Sequence, residues 1–166
     1  VSFEKIAAAF AVFRGVKRRL EVRGEVRGVR VYDDFAHHPT AVRETVAALR
    51  SRLMPGERVV VVFEPRSYTS RTKTFELDFA RAFATADDVV VSAAHLPGKV
   101  PESERISEAT LVASINREGG TARFIPTVPQ IVAELSSSLR SGDHVLVLSN
   151  GAFGSIHERL LAALRS

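Results

Sequence analysis

The chain has 166 residues, 45% hydrophobic and 25% charged, a balance that suits one ordinary globular domain and excludes a disordered or fibrous chain. With no cysteine, it has neither a disulfide framework nor a thiolate metal site. A net charge of +4 favours anionic partners, but the arginines are scattered and apolar runs such as 59–63 fall far short of the roughly 20 residues of a membrane helix, so neither nucleic acid nor a membrane is expected.

Ser2 is placed to cap a helix over 3–13, where Phe3, Ile6, Phe10 and Phe13 recur at helical spacing before Gly15. This segment has no packing partner of its own and the chain opens on Val1. Residues 1–15 are therefore expected to be a connector, and the chain a piece of something longer, with the main domain over 16–166. Strands over 19–22 and 29–32, around Gly24 and Gly28, are expected to pair antiparallel through a short turn. From Pro39 the period changes, and Val42, Val46, Leu49 and Leu53 line one face of a helix that Pro55 and Gly56 end. After a buried strand at 59–63, helices at 75–84, 107–117, 129–139 and 153–164 alternate with strands at 89–92, 122–125 and 144–148. The alternation predicts an α/β fold: a Rossmann-like, three-layer, mostly parallel sheet of about six strands, one of them antiparallel, with helices on both faces.

In such sheets ligands bind beyond the carboxyl ends of the strands, and four polar loops fall there. In the first, 33–39, Asp34 suits sugar hydroxyls or a metal, and His37 or His38 suits phosphate or acts as a base near neutral pH. The plainer reading is that Asp33 or Asp34 only caps the helix at Pro39. In the second, 64–72, Arg66 and Arg71 offer planar forks to carboxylates or phosphates, the alternative being a solvated helix start capped by Thr72 or Thr74. The third holds His95 and Lys99 before Glu102 and Glu104 and reads as a surface loop. In the fourth, Ser149, Asn150, Gly151 and Gly154 could bring backbone amides close to an anion, or form a plain turn. No Gly-x-x-x-x-Gly-Lys-Thr/Ser run exists, so the usual triphosphate cradle is lacking.

Three ordered motifs go further. They are Phe-Arg-Gly-Val-Lys-Arg-Arg-Leu-Glu at 13–21, Asp-Asp-Phe-Ala-His-His-Pro-Thr at 33–40 and Phe-Glu-Pro-Arg-Ser-Tyr-Thr-Ser-Arg-Thr at 63–72. Together they resemble the C-terminal domain of the Mur ligases, over essentially the whole chain, and most of all the branch that recycles cell-wall peptide, the murein peptide ligases. The resemblance implies a cytoplasmic enzyme that joins a carboxylate to an amine with ATP and Mg2+ through an acyl phosphate. Its P-loop and magnesium ligands would lie on the missing central domain, so this domain alone is expected to be inactive. Arg19 matches the arginine near the hinge that helps bind ATP, Asp34 the aspartate that holds its ribose, and His37 a histidine close to the incoming amine. His38, Arg66, Ser67 and Ser70 complete the expected peptide side with Arg71, Ser149 and Asn150.

The alanine-adding sibling usually has tyrosine where this chain has Phe35, and an Arg-Tyr-Thr-Arg run where this chain reads Ser67, Tyr68, Thr69, Ser70. Arginines moved away from a small carboxylate leave room for a longer amine. The expected partners are therefore the chain's own central and N-terminal domains, UDP-N-acetylmuramate and the tripeptide L-Ala-γ-D-Glu-meso-diaminopimelate. The alternatives are the C-terminal domain of UDP-N-acetylmuramate–L-alanine ligase, or a metal-dependent phosphoesterase built on Asp33, Asp34, His37 and His38 with His95.

Overall fold

A computed structural model describes residues 1–12, 15–95 and 100–166; Phe13, in the first predicted helix, and Lys99, in the third loop, lie outside the described residues. Helix α1 (Phe3–Ala11) follows Ser2 and buries none of its residues. Strands β1 (Glu21–Val26) and β2 (Val29–Asp34) form the antiparallel pair. The rest alternates: α2 (Pro39–Arg50), β3 (Arg58–Phe63), α3 (Glu76–Phe83), β4 (Asp88–Val91), α4 (Glu108–Arg117), β5 (Ala122–Phe124), α5 (Val128–Ser138), β6 (Asp143–Leu148) and α6 (Ile156–Ala163). The sheet order is β1-β2-β6-β3-β4-β5, and every pairing except β1 with β2 is parallel. No described helix is long and apolar enough to cross a membrane.

The central strands are buried on both faces, which is why 59–63 and 145–148 read as unbroken apolar runs. Side chains alternate across each strand. Val59, Val61 and Phe63 join Leu146 and Leu148 under α2, α3 and α4; Val60, Val62, Val145 and Val147 pack under α5 and α6. On the first face the Phe63 ring lies 5.5 Å from Phe79 and 4.8 Å from Phe83. Burying each such ring contributes about 1.5–3 kcal/mol.

The first strand differs from its expected place. It starts at Glu21, not residue 19, because Arg18 and Leu20 have φ of 56° and 45°, a left-handed conformation that cannot continue an extended strand. It also runs through Gly24 to Val26, with a register shift between Val22 and Gly24. A Cβ at Gly24 would stand 2.9 Å from Leu161 Cδ1, so the missing side chain lets α6 lie close on the strand. The turn itself is Arg27-Gly28, both at positive φ (55° and 76°), the tight hairpin geometry that matches strand twist.

At the sheet's amino end, Arg58 and Asp143 pair in a fork: Nε donates to Oδ1 at 2.8 Å and Nη2 to Oδ2 at 2.7 Å. Burial disfavours the Asp143 charge, but these bonds and the Arg140 N–H outweigh it and hold the carboxyl below its ordinary value.

Candidate functional site

Helices α2 to α4 cover one face of the sheet and α5 and α6 the other, and β6 is inserted between β2 and β3. The loop after β6 therefore turns to one face while the loops after β2 and β3 turn to the other, opening a crevice at that switch point. The loops are tied to one another. Ser149 N–H donates to Asp34 O (3.3 Å), His95 N–H to Pro65 O (2.9 Å) and Arg71 Nη1 to His95 O (3.2 Å), while Ser67 Oγ lies 3.5 Å from His37 O.

In the first loop the two aspartates face opposite ways, as neighbours in a strand must. Asp33 lies on the α6 side, 3.2 Å from Arg18 Nε, 3.7 Å from Arg23 and 3.6 Å from His157 Nε2. Asp34 accepts from Leu20 N–H at 2.7 Å through Oδ2 and from Ala36 N–H at 2.8 Å through Oδ1, and is 2% exposed. Neither caps α2. That position belongs to His38, whose Nδ1 accepts from Thr40 N–H at 3.4 Å while its ring rests 5.2 Å from Phe75. His37 is half-buried and its Nδ1 meets Phe35 O at 2.8 Å. A carbonyl can only accept, so the proton sits on Nδ1 and Nε2 keeps the lone pair of the neutral ring.

The second loop closes on itself. Ser67 Oγ donates to Ser70 Oγ (2.9 Å), Ser70 Oγ accepts from Arg66 N–H (3.0 Å), and Ser70 is fully buried. Arg71 is 6% exposed, with Nε on Ser67 O at 3.1 Å. Thr72 and Thr74 do not cap α3; the residue before that helix is Phe75, with no side-chain cap. Arg66 instead reaches Glu64, 3.7 Å away, and lies across Gly151.

In the fourth loop Ser149 Oγ donates to Glu64 Oε2 at 2.6 Å and accepts from Gly151 N–H at 2.9 Å. The Gly151 amide is therefore used within the loop and does not form an open anion cradle. Asn150 Oδ1 is buried and has no hydrogen-bond partner among the described residues. Phe153, Gly154 and Ser155 all have positive φ, turning the chain sharply into α6.

Of the residues expected at the site, His37, Arg66, Ser67 and Asn150 stand partly exposed in these loops, and His38 and Arg19 are exposed. Asp34, Ser70, Arg71 and Ser149 are buried scaffolding in this state. Sequence reasoning missed Glu64, Arg18 and His157. Glu64 had a signal, a carboxylate directly after a buried apolar strand; Arg18 has none that separates it from Arg19. Burial pushes the His157 imidazole below its ordinary value, Asp33 pulling upward and Arg23 downward. Among the described residues no three His, Asp or Glu side chains converge to hold a metal ion, so the metal-phosphoesterase alternative lacks its ligand set there.

The Mur ligase, glutamate ligase domain family matches residues 18–151. The chain is 39% identical over 163 residues to the UDP-N-acetylmuramate–L-alanine ligase of Nostoc punctiforme, covering 98% of this chain and 34% of that one. It is 40% identical over 159 residues to the UDP-N-acetylmuramate–L-alanyl-gamma-D-glutamyl-meso-2,6-diaminoheptandioate ligase of Escherichia coli, covering 95% and 32%. The crystal structure of a murein peptide ligase from Psychrobacter arcticus aligns with a TM-score of 0.75 at 30% identity, covering 99% and 33%. The chain thus spans about a third of the length of the relatives it matches.

Proposed function

Because the chain belongs to the Mur ligase family, as its glutamate ligase domain, we propose that it is the domain that closes over ATP and presents the amine in a peptidoglycan ligase. The first 15 residues form the connector from the central domain, which supplies the P-loop and magnesium ligands. In that assembly UDP-N-acetylmuramate offers the carboxylate, ATP converts it to an acyl phosphate, and the incoming amine displaces phosphate. Arg19 and Asp34 serve the nucleotide. Asp34 has a second lone pair on each oxygen beyond the backbone bonds it accepts, enough for a ribose hydroxyl once the domains close.

We assign the amine to the recycled tripeptide L-Ala-γ-D-Glu-meso-diaminopimelate. The observation that carries this choice is that both loop arginines are engaged inside the domain: Arg71 on backbone carbonyls, Arg66 against Glu64 and Gly151. A single small amino acid needs its carboxylate gripped, whereas a peptide amine has its first carbonyl in an amide and needs neutral acceptors and donors. His37 Nε2 is such an acceptor. The second reading, addition of L-alanine, draws on the 39% identity to the Nostoc punctiforme enzyme of that name.

The full-length ligase carrying this domain is offered UDP-N-acetylmuramate and ATP-Mg with either L-alanine or the tripeptide, and the nucleotide-sugar product is weighed by mass spectrometry. Tripeptide product alone is expected. Alanine product alone assigns the chain to the alanine-adding branch, and no product with either amine removes both readings.

A further inference from the structure

We propose that Arg18 and Asp33 are positioning residues that hold residues 18–20 in a strained form from which Arg19 is presented to the nucleotide. The proposal rests on the assignment of Arg19 to ATP made above. The observation behind it is conformational. Arg18 and Leu20 both sit in the left-handed region, φ 56° and 45°, which β-carbons oppose and which glycine would adopt freely. Such conformations persist only where surrounding contacts impose them, and they concentrate at functional sites.

The imposing contacts are specific. Arg18 N–H donates to Glu21 Oε2 at 2.8 Å and Arg18 O accepts from Phe35 N–H at 3.0 Å. The Arg18 guanidinium stands 5.1 Å over the Phe35 ring, pairs with Asp33 through Nε, and donates through Nη2 to Ser149 O and, at 3.0 Å, to Gly151 O. On the other side of Arg19, the Leu20 N–H is held by Asp34. One aspartate thus fixes the residue before Arg19 and its neighbour fixes the residue after it. Among the described residues Arg19 itself has no such tether: it is exposed, its guanidinium 6.0 Å from the Phe35 ring. A chain that only needed to turn here could do so with glycine. Anchoring both flanks of one exposed arginine to the crevice loops fixes where that arginine points relative to them, and preorganising a binding cation removes an ordering cost from ligand binding.

The test measures steady-state kinetics of the full-length ligase with Arg19→Ala, Arg18→Ala, Arg18→Lys and Asp33→Asn, together with melting temperatures. The expected result is that Arg19→Ala and Arg18→Ala each raise the KM for ATP about tenfold or more, with the amine KM unchanged. Lysine can reach Asp33 or the loop carbonyls but not all at once, so Arg18→Lys is expected to fall between. Asp33→Asn, which keeps the shape, should act like a milder Arg18→Ala and covers the case in which Arg18→Ala does not fold. An ATP KM that rises in Arg19→Ala but stays normal in both Arg18→Ala and Asp33→Asn overturns the proposal. So does a rise in both KM values alongside a lower melting temperature, the mark of a purely structural role. A normal ATP KM in Arg19→Ala removes the nucleotide assignment itself, and the positioning proposal falls with it.

Discussion

The guanidinium of Arg66 lies so close over Gly151 that a β-carbon on residue 151 would stand 2.2 Å from Arg66 Cζ. The obstacle is the far end of a flexible side chain, so Gly151→Ala should move Arg66 rather than unfold the loop. Expected is a melting temperature within about 2–4 °C of wild type and, in the full-length ligase, a KM for the amine raised about tenfold as Arg66 leaves Glu64. Calorimetry and steady-state kinetics on one preparation check both halves.

His37 keeps its proton on Nδ1 by bonding Phe35 O, leaving Nε2 as an acceptor beside the crevice. Replacing it by alanine should raise the KM for the amine by about tenfold, the value of one lost hydrogen bond to a charged or polar group, and leave the ATP KM alone. Arg19→Ala should show the reverse split. Identical splits in the two variants would contradict the division of the site into an amine side and a nucleotide side.

His157 is kept below its ordinary value of 6.5 mainly by burial. The unfolded chain then binds a proton more readily than the folded one, so the neutral imidazole's contribution is present above pH 6.5 and is lost as pH falls from there toward the folded value. Urea unfolding at pH 7.5 and 5.5 should reveal a steeper loss of stability in wild type than in His157→Gln. Parallel losses would mean that other groups govern this range.

Asp143 titrates with the opposite lever. Burial opposes its charge, but the fork from Arg58 and the Arg140 N–H hold its carboxyl below 3.8. Its stabilisation is therefore present above pH 3.8 and lost as pH falls through the folded value. At neutral pH Asp143→Asn, which cannot accept both arginine bonds, should cost about 2–3 kcal/mol in urea unfolding. The gap from wild type should close in acid.

Two glycines separate side-chain from backbone obstruction. A Cβ at Gly120 would stand 2.9 Å from Ala84 Cα and 2.8 Å from Ile115 Cγ2, whereas at Gly24 the nearest atoms belong to the Leu161 side chain alone. Backbone cannot rotate aside. Gly120→Ala should cost about 2 kcal/mol and Gly24→Ala about 1 kcal/mol or less by denaturant unfolding.

The strand and helix order was legible in local patterns. Apolar runs such as 59–63 mark buried parallel strands, and the break in period at Pro39 marks a helix start, because those signals depend only on neighbours along the chain. Boundaries failed where distant residues imposed the backbone. Nothing in Lys17 to Glu21 announces that Arg18 and Leu20 turn left-handed, since the aspartates that hold them come after the hairpin. Likewise Asp34 looked like a free carboxylate or a helix cap, and only in the fold do its two oxygens meet two main-chain amides.

By itself the sequence determined the α/β class, the family and the loops in which polar residues gather, because periodicity and ordered motifs are one-dimensional properties. Only the tertiary structure decided which of those polar residues reach solvent. Insertion of β6 between β2 and β3 brings Ser149 to Glu64 and Gly151 under Arg66, across 85 residues of chain in each case. A buried polar group must find partners wherever the fold brings them. Arg71, Ser70 and Ser149 are thereby committed to scaffolding, while Arg19 stays exposed and His37 and Asn150 stay partly so.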